Sequence, residues 1–202
     1  IAWPEGDFVR LLFHELAHQV AYAPGDTAFN ESYATAVERL GVARWLAEHG
    51  TPEARAQYAA SEQRRAEWRA LTRATRERLA KIYESNQPPA LSSQAPAAMK
   101  TEAMQAFRAE YARLRARWIA AGSPPAQVAP LDRWVAEANN ASFGAQAAYD
   151  DLAPAFAALF EREGRDWPRF HAAVKALAQA PRDERRAALD ALSPGVSLAG
   201  MR

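Results

Sequence analysis

Proline and glycine divide this chain into long stretches that favour helix. The sequence has 202 residues, of which only 9 are glycine and 13 are proline, and alanine and arginine are used heavily. Alanine and arginine are good helix formers, whereas proline and glycine end helices. Apolar residues between the breaks recur at steps of three and four, and we find no convincing strand pattern. The sequence therefore predicts a mainly α fold.

Eight helices follow from this pattern, and two of them are long. They are expected at about 7–22, 28–49, 52–85, 97–121, 131–138, 145–163, 166–179 and 182–192. The helix at 52–85 is largely polar, and Pro88-Pro89 follows it. The helix at 97–121 carries a narrow apolar seam, typical of a coiled-coil-like pair. We therefore predict that these two helices form a long antiparallel hairpin.

Composition excludes several kinds of protein. The formal net charge is +1 with acids and bases mixed along the helices, which gives no reason to expect nucleic acid as a partner. The absence of cysteine excludes disulfides, thiolate zinc sites and thiol nucleophiles. No apolar run approaches the ~20 residues of a transmembrane helix. Because the sequence starts at Ile1 and runs at once into a functional-looking helix, we expect an N-terminal region to precede it.

The first predicted helix carries two histidines four residues apart, in His14-Glu15-Leu16-Ala17-His18. This spacing puts both imidazoles on one helix face, with Glu15 beside the first of them. It is the HExxH pattern, which offers two nitrogen ligands for Zn²⁺ and a carboxylate that can act on a zinc-bound water. Apolar residues flank the histidines on both sides, so we expect buried ring nitrogens that need a partner.

A third zinc ligand is expected at the start of the second helix. The segment 23–27 ends the first helix, and Glu31 lies in the first turn of the next. In antiparallel helices joined by a short turn these two ends are adjacent. Glu31 would then complete a His-His-Glu site with a fourth position for water, as in catalytic zinc sites. Asp26 is the competing ligand, and Glu31 could instead only balance the N-terminal end of its helix.

Glu15 is predicted to be the general base, which takes a proton from the zinc-bound water and passes it to the leaving amine. Glu38 and Asp26 are candidate acceptors for the second N–H of a zinc-bound histidine. Asn30 either holds the substrate backbone or caps its helix. His171 is expected to be a surface or structural residue.

Several blocks resemble the bacterial family of predicted zinc aminopeptidases. In the N-terminal part these are His14-Glu15-Leu16-Ala17-His18-Gln19, Gly25-Asp26-Thr27, Phe29-Asn30-Glu31-Ser32 and 34–41. Downstream, Asn139-Asn140-Ala141, Tyr149-Asp150-Asp151-Leu152, Pro154-Ala155-Phe156 and Phe170-His171 resemble the C-terminal region of that family. The resemblance implies a zincin-like metallopeptidase fold with a His-His-Glu zinc site.

The same resemblance implies features that the residues alone do not give. It makes Tyr149 the first choice for a catalytic residue that stabilises the transition state, ahead of Tyr22 and Tyr33. It also implies an upstream region that often starts with a lipoprotein signal. A lipid anchor there would place the protein in the cell envelope, facing the periplasm. Apart from the resemblance, an exopeptidase needs a carboxylate near the metal to anchor the free amine of its substrate, and Glu38 and Asp150 are the candidates.

Taken together, these features predict three parts and one enzymatic function. The parts are a zinc-binding helix pair at 1–50, the helical hairpin at 51–122, and C-terminal helices at 123–202 that complete a catalytic body. The function is hydrolysis of peptide bonds by a zinc metallopeptidase, most simply an aminopeptidase acting on peptides or proteins. One alternative is an endopeptidase that acts on envelope proteins.

A second alternative gives the hairpin the main role. It would bind a partner helix through two aromatic surfaces, and the zinc site would then be weakly active or regulatory. The surfaces are Tyr58 with Trp68, and Phe107 with Trp118.

Overall fold

The computed structural model describes residues 4–84, 94–144 and 151–192, which are mainly helical and contain no strand. A further short helical segment covers 140–144. The helices are α1 (Glu5–Val20), α2 (Thr27–His49), α3 (Pro52–Glu84), α4 (Gln94–Ala120), α5 (Pro125–Glu137), α6 (Ala153–Arg162), α7 (Trp167–Gln179) and α8 (Arg182–Leu192). The mainly α prediction is confirmed. Within the described ranges, no helix combines the length and apolar character needed to cross a bilayer.

The largest difference from the predicted helices lies in the proline-rich stretch after α4. The sequence predicts a loop as far as Pro130, but α5 starts at Pro125 and contains Pro130 in its interior. Proline is tolerated at the first position of a helix because its missing N–H would have no partner there. A proline further along removes one helical hydrogen bond without ending the helix in this case.

By its contacts the described chain forms two compact units, one of residues 1–59 and 147–202 and the other of 60–146. Helix α5 is grouped with α4 and most of α3 in the second unit. The division at 50 and 122 stays a prediction, as does the hairpin connection, because 85–93 lie outside the described residues.

The second unit has an aromatic core that contains three of the residues named in the partner-binding alternative. Trp68, Phe107 and Trp118 are all buried within it. The Trp68 ring lies 6.1 Å from the Phe107 ring, and the Trp118 indole N–H donates to Glu67 at 2.5 Å. These three side chains therefore stabilise the unit itself and are not exposed to a partner helix, whereas Tyr58 is partly buried against another apolar cluster.

The first unit is built around α2, which is buried along much of its length. Phe29 and Tyr33 of α2 are fully buried and pack against Phe156 of α6, with ring centroids 5.1 and 5.6 Å apart. Phe170 of α7 and Leu189 of α8 complete this core. Because three later helices hold α2, the residues that α2 presents to α1 have a fixed position.

Helices α1 and α2 are antiparallel, as the short turn predicts. The contacts run in opposite directions along the two helices, from His18 with Glu31 at one end to Phe13 with Gly41 further on. Gly25 in the connecting turn has φ 76°, a left-handed conformation that suits glycine. This turn brings the C-terminal end of α1 next to the N-terminal end of α2.

Candidate metal centre

Three predicted ligands meet between α1 and α2. One ligand atom from each of His14, His18 and Glu31 lies within 4.8 Å of the other two. A Glu31 carboxylate oxygen is 3.3 Å from His14 Nε2 and 3.9 Å from His18 Nε2. Their side chains are only 13% to 20% exposed. The structure thus brings together the two histidines and the glutamate that the sequence singled out.

Glu38 and Arg10 fix the orientation of His14. The Glu38 carboxylate is buried, lies 3.0 Å from His14 Nδ1 and accepts a hydrogen bond from Arg10 Nε at 2.9 Å. A carboxylate can only accept, so Nδ1 carries the proton and donates it to Glu38. The lone pair of a neutral His14 is then on Nε2, which faces Glu31. A carboxylate behind a histidine in this way is common at metal sites.

The donor set fits a divalent metal. When His14 is neutral, its Nε2 lone pair faces the negatively charged Glu31 oxygen. The two atoms repel each other at this distance unless a proton or a metal cation lies between them. Ligands about 2.1 Å from one tetrahedral ion are roughly 3.4 Å apart, close to the 3.3 and 3.9 Å seen here. Two imidazoles and a carboxylate are ligands that Zn²⁺ accepts.

The local charge favours a cation at this point. The hydrogen bond to Glu38 raises the pKa of His14 above its usual 6.5, and the charges of Glu31 and Glu15 act in the same direction, while burial opposes them. Arg10 pairs with Glu38, which leaves Glu15 and Glu31 as the other acids beside the two histidines. A metal ion would take the place of the proton that this environment attracts to His14.

His18 is held differently from His14. Its Nδ1 is buried and has no hydrogen-bond partner among the described residues. The ring stands nearly perpendicular to that of His14, with centroids 5.1 Å apart. Its position is therefore set by α1 and by the neighbouring ring, with its Nε2 toward Glu31.

The turn residues have structural roles that differ from those expected. Asp26, the competing ligand, caps α2 by accepting from the Phe29 N–H at 3.1 Å, and its other oxygen lies 3.1 Å from Arg185 Nε. Asn30 does not cap the helix: it is buried, accepts from the Ala23 N–H at 2.8 Å and donates to the Ala23 carbonyl at 2.9 Å. Both residues stabilise the turn that positions Glu31.

Glu15 and the candidate tyrosines lie in contrasting places. Glu15 is exposed on α1 beside His14, where a substrate can reach it. Tyr33 is fully buried with its hydroxyl 2.8 Å from His171 Nδ1, and burial raises its pKa, so it serves the core. Tyr22 is exposed beyond the end of α1. Tyr149 lies outside the described residues, and its catalytic role stays a prediction.

One assignment changes with this geometry. Glu38 is bonded to His14 and Arg10, so it is not placed to anchor a substrate amine as expected. Asp150, the other candidate anchor, lies outside the described residues. Arg10 was missed by sequence reasoning, although its position one turn before His14 on the same helix is a signal that could have identified it.

The comparisons with known proteins give one match. A family model described as "Putative aminopeptidase" matches residues 1–189. No curated protein and no solved structure matches the chain significantly.

Proposed function

Because this chain belongs to the "Putative aminopeptidase" family, we propose that it is a zinc-dependent aminopeptidase whose metal is held by His14, His18 and Glu31. The family model covers nearly the whole described chain, which supports a peptidase. Peptides or proteins with a free N-terminus are then the substrates.

One observation carries the proposal of a metal. Carboxylates of α2 contact both ring nitrogens of His14, with Glu38 at Nδ1 and Glu31 at Nε2. The two glutamates are seven residues apart and so share a helix face. A histidine with its proton held on one side and its lone pair aimed at a second carboxylate is prepared to share a metal ion with that carboxylate.

Each residue of the proposed site then has a separate role in hydrolysis. A bound zinc ion supplies a Lewis acid that lowers the pKa of water and polarises a carbonyl group. Glu15 accepts the proton of the attacking water, and the same carboxyl donates it to the nitrogen of the leaving amine as the C–N bond breaks. Glu38 and Arg10 keep His14 in one tautomer and one orientation. Tyr149 is the proposed group for the developing oxyanion.

The experiment is to incubate zinc-loaded protein with a peptide library and to identify the products by mass spectrometry. Release of single N-terminal residues is expected. A Glu15→Gln variant with the same zinc content should lose about 10²–10⁴-fold in kcat, since it lacks the general base. Full activity of that variant would contradict the mechanism, and internal cleavage would instead identify an endopeptidase.

A further inference from the structure

Helix α1 has an apolar face that is exposed in the described structure. Phe8, Leu11, Leu12 and Leu16 are between 40% and 49% exposed, and Tyr22 just beyond the helix is 59% exposed. Among the described residues, the other exposed large apolar side chains are Tyr83 and Met99. Exposed apolar side chains that cluster on one surface are typical of a site that binds a ligand or another protein.

This apolar face, defined as Phe8, Leu11, Leu12 and Leu16, surrounds Glu15. Leu11 and Leu12 precede Glu15 by four and three residues, one helical turn away, and Leu16 follows it directly. His14 and His18 point instead toward Glu31 of α2. The two histidines therefore lie on the side of α1 that faces α2, and Glu15 lies among the leucines on the adjacent, exposed side of the same helix.

We propose that the apolar face binds apolar side chains of the peptide substrate. The inference rests on the proposed function, because a peptide whose scissile amide is in reach of Glu15 must pass within one turn of Leu11, Leu12 and Leu16. The charged group that the face surrounds is the Glu15 carboxylate, which is negative and would repel a substrate carboxylate. An aspartate of the substrate would lose hydration there without gaining an ion pair, whereas a leucine would bury apolar surface.

The proposal predicts a measurable preference for apolar substrate side chains. A hydrophobic site discriminates by roughly 10-fold or more between side chains that differ by one methylene, and leucine differs from aspartate by more than that. We therefore expect at least about 10-fold higher kcat/KM for leucine than for aspartate, at one or more positions next to the cleaved bond.

The test uses tripeptides in which one position at a time is Leu, Ser, Lys or Asp. Activity is measured with the zinc-loaded full chain, and binding of the same peptides to a Glu15→Gln variant is measured by calorimetry. A Leu12→Gln variant removes one apolar side chain while keeping helix propensity similar. It should raise KM for the leucine peptides about 10-fold. A Met99→Gln control, which removes an exposed apolar side chain from α4, should leave KM unchanged.

The outcomes separate this inference from the proposed function. Hydrolysis without preference for leucine, or a preference that Leu12→Gln leaves intact, would overturn the inference and leave the peptidase standing. If no peptide is cleaved, the proposed function fails, and tighter binding of leucine peptides in calorimetry would still support the apolar face. A Leu12→Gln variant that changes only the solution mass or the melting temperature would show that a second copy or the chain itself covers this face.

Discussion

At the scale of single residues, the site depends on how α2 holds His14. Glu31 and Glu38 contact opposite nitrogens of the same ring, and Arg10 neutralises Glu38. The HExxH spacing identified the histidines because their chemistry and their helical period are both local. Glu31 was predicted as the ligand, but the sequence left Glu38 and Asp26 as alternative acceptors for the second N–H of a histidine. Only the packed helices show that Glu38 takes this place at His14.

Replacing Glu38 by glutamine should weaken zinc binding about 10- to 100-fold at neutral pH, because a neutral amide that can either accept from or donate to Nδ1 no longer fixes the tautomer of His14. The hydrogen bond to Glu38 raises the pKa of His14, so protons compete with the metal from a higher pH than for an ordinary histidine. Affinity should therefore fall as pH is lowered, and in Glu38→Gln this fall should start at a lower pH. Zinc titration and the NMR pKa of His14 measure both effects.

A matched control for Glu38→Gln is available on the same helix. Glu48 is exposed and pairs with Arg44 at 2.8 Å, a type of surface ion pair that contributes little. Glu48→Gln should therefore bind zinc like the natural chain. Equal zinc affinity of the Glu38→Gln and natural chains would show that Glu38 does not position His14.

At the scale of elements, the α1–α2 pair depends on a close approach at Gly41. A Cβ added there would lie 2.9 Å from Cδ2 of the Phe13 ring, closer than side chains tolerate. This glycine is helical, so the reason for it is space and not an unusual backbone angle. From the sequence alone, Gly41 is a residue of low helix propensity within a predicted helix. The structure gives the reason for it, because α1 packs closely against this position.

We expect Gly41→Ala to destabilise the protein by about 1 kcal/mol or more, although alanine in an isolated helix gains about 1 kcal/mol over glycine. The Phe13 ring must move, and with it the adjacent His14, so zinc affinity should fall as well. Urea unfolding and zinc titration are the measurements. A variant that is more stable and binds zinc normally would mean that the helices do not pack this closely.

Helix boundaries that depend on local residues could be predicted from the sequence, whereas packing between distant segments could not. Breaks at 23–26, 50–51 and 180–181 are predicted well because proline, glycine and capping residues determine them locally. The extent of α5 was predicted wrongly, and the packing partners of Trp68 and Trp118 could not be predicted, because both depend on contacts between segments distant in the sequence. Leucines beside the histidines were expected to bury the site, yet those of α1 are exposed.

At the scale of the whole molecule, the described chain has two units with separate apolar clusters. All three proposed metal ligands belong to the first unit, whose core of α2, α6, α7 and α8 fixes one wall of the site. The zincin-like fold, the lipid anchor and the envelope location depend on resemblance and stay predictions. The metal centre is therefore the feature on which the proposed activity depends most directly.

The most direct test of the account is the zinc content of the purified full chain and two variants, measured by native mass spectrometry after dialysis against excess zinc. One tightly bound zinc ion is expected in the natural chain, and Glu31→Gln should lose it. Asp26→Asn should retain it, because Asp26 caps α2 and lies against Arg185, although breaking that buried pair should lower stability by roughly 3 kcal/mol. No zinc in the natural chain, or loss of zinc in Asp26→Asn but not in Glu31→Gln, would contradict the proposed site.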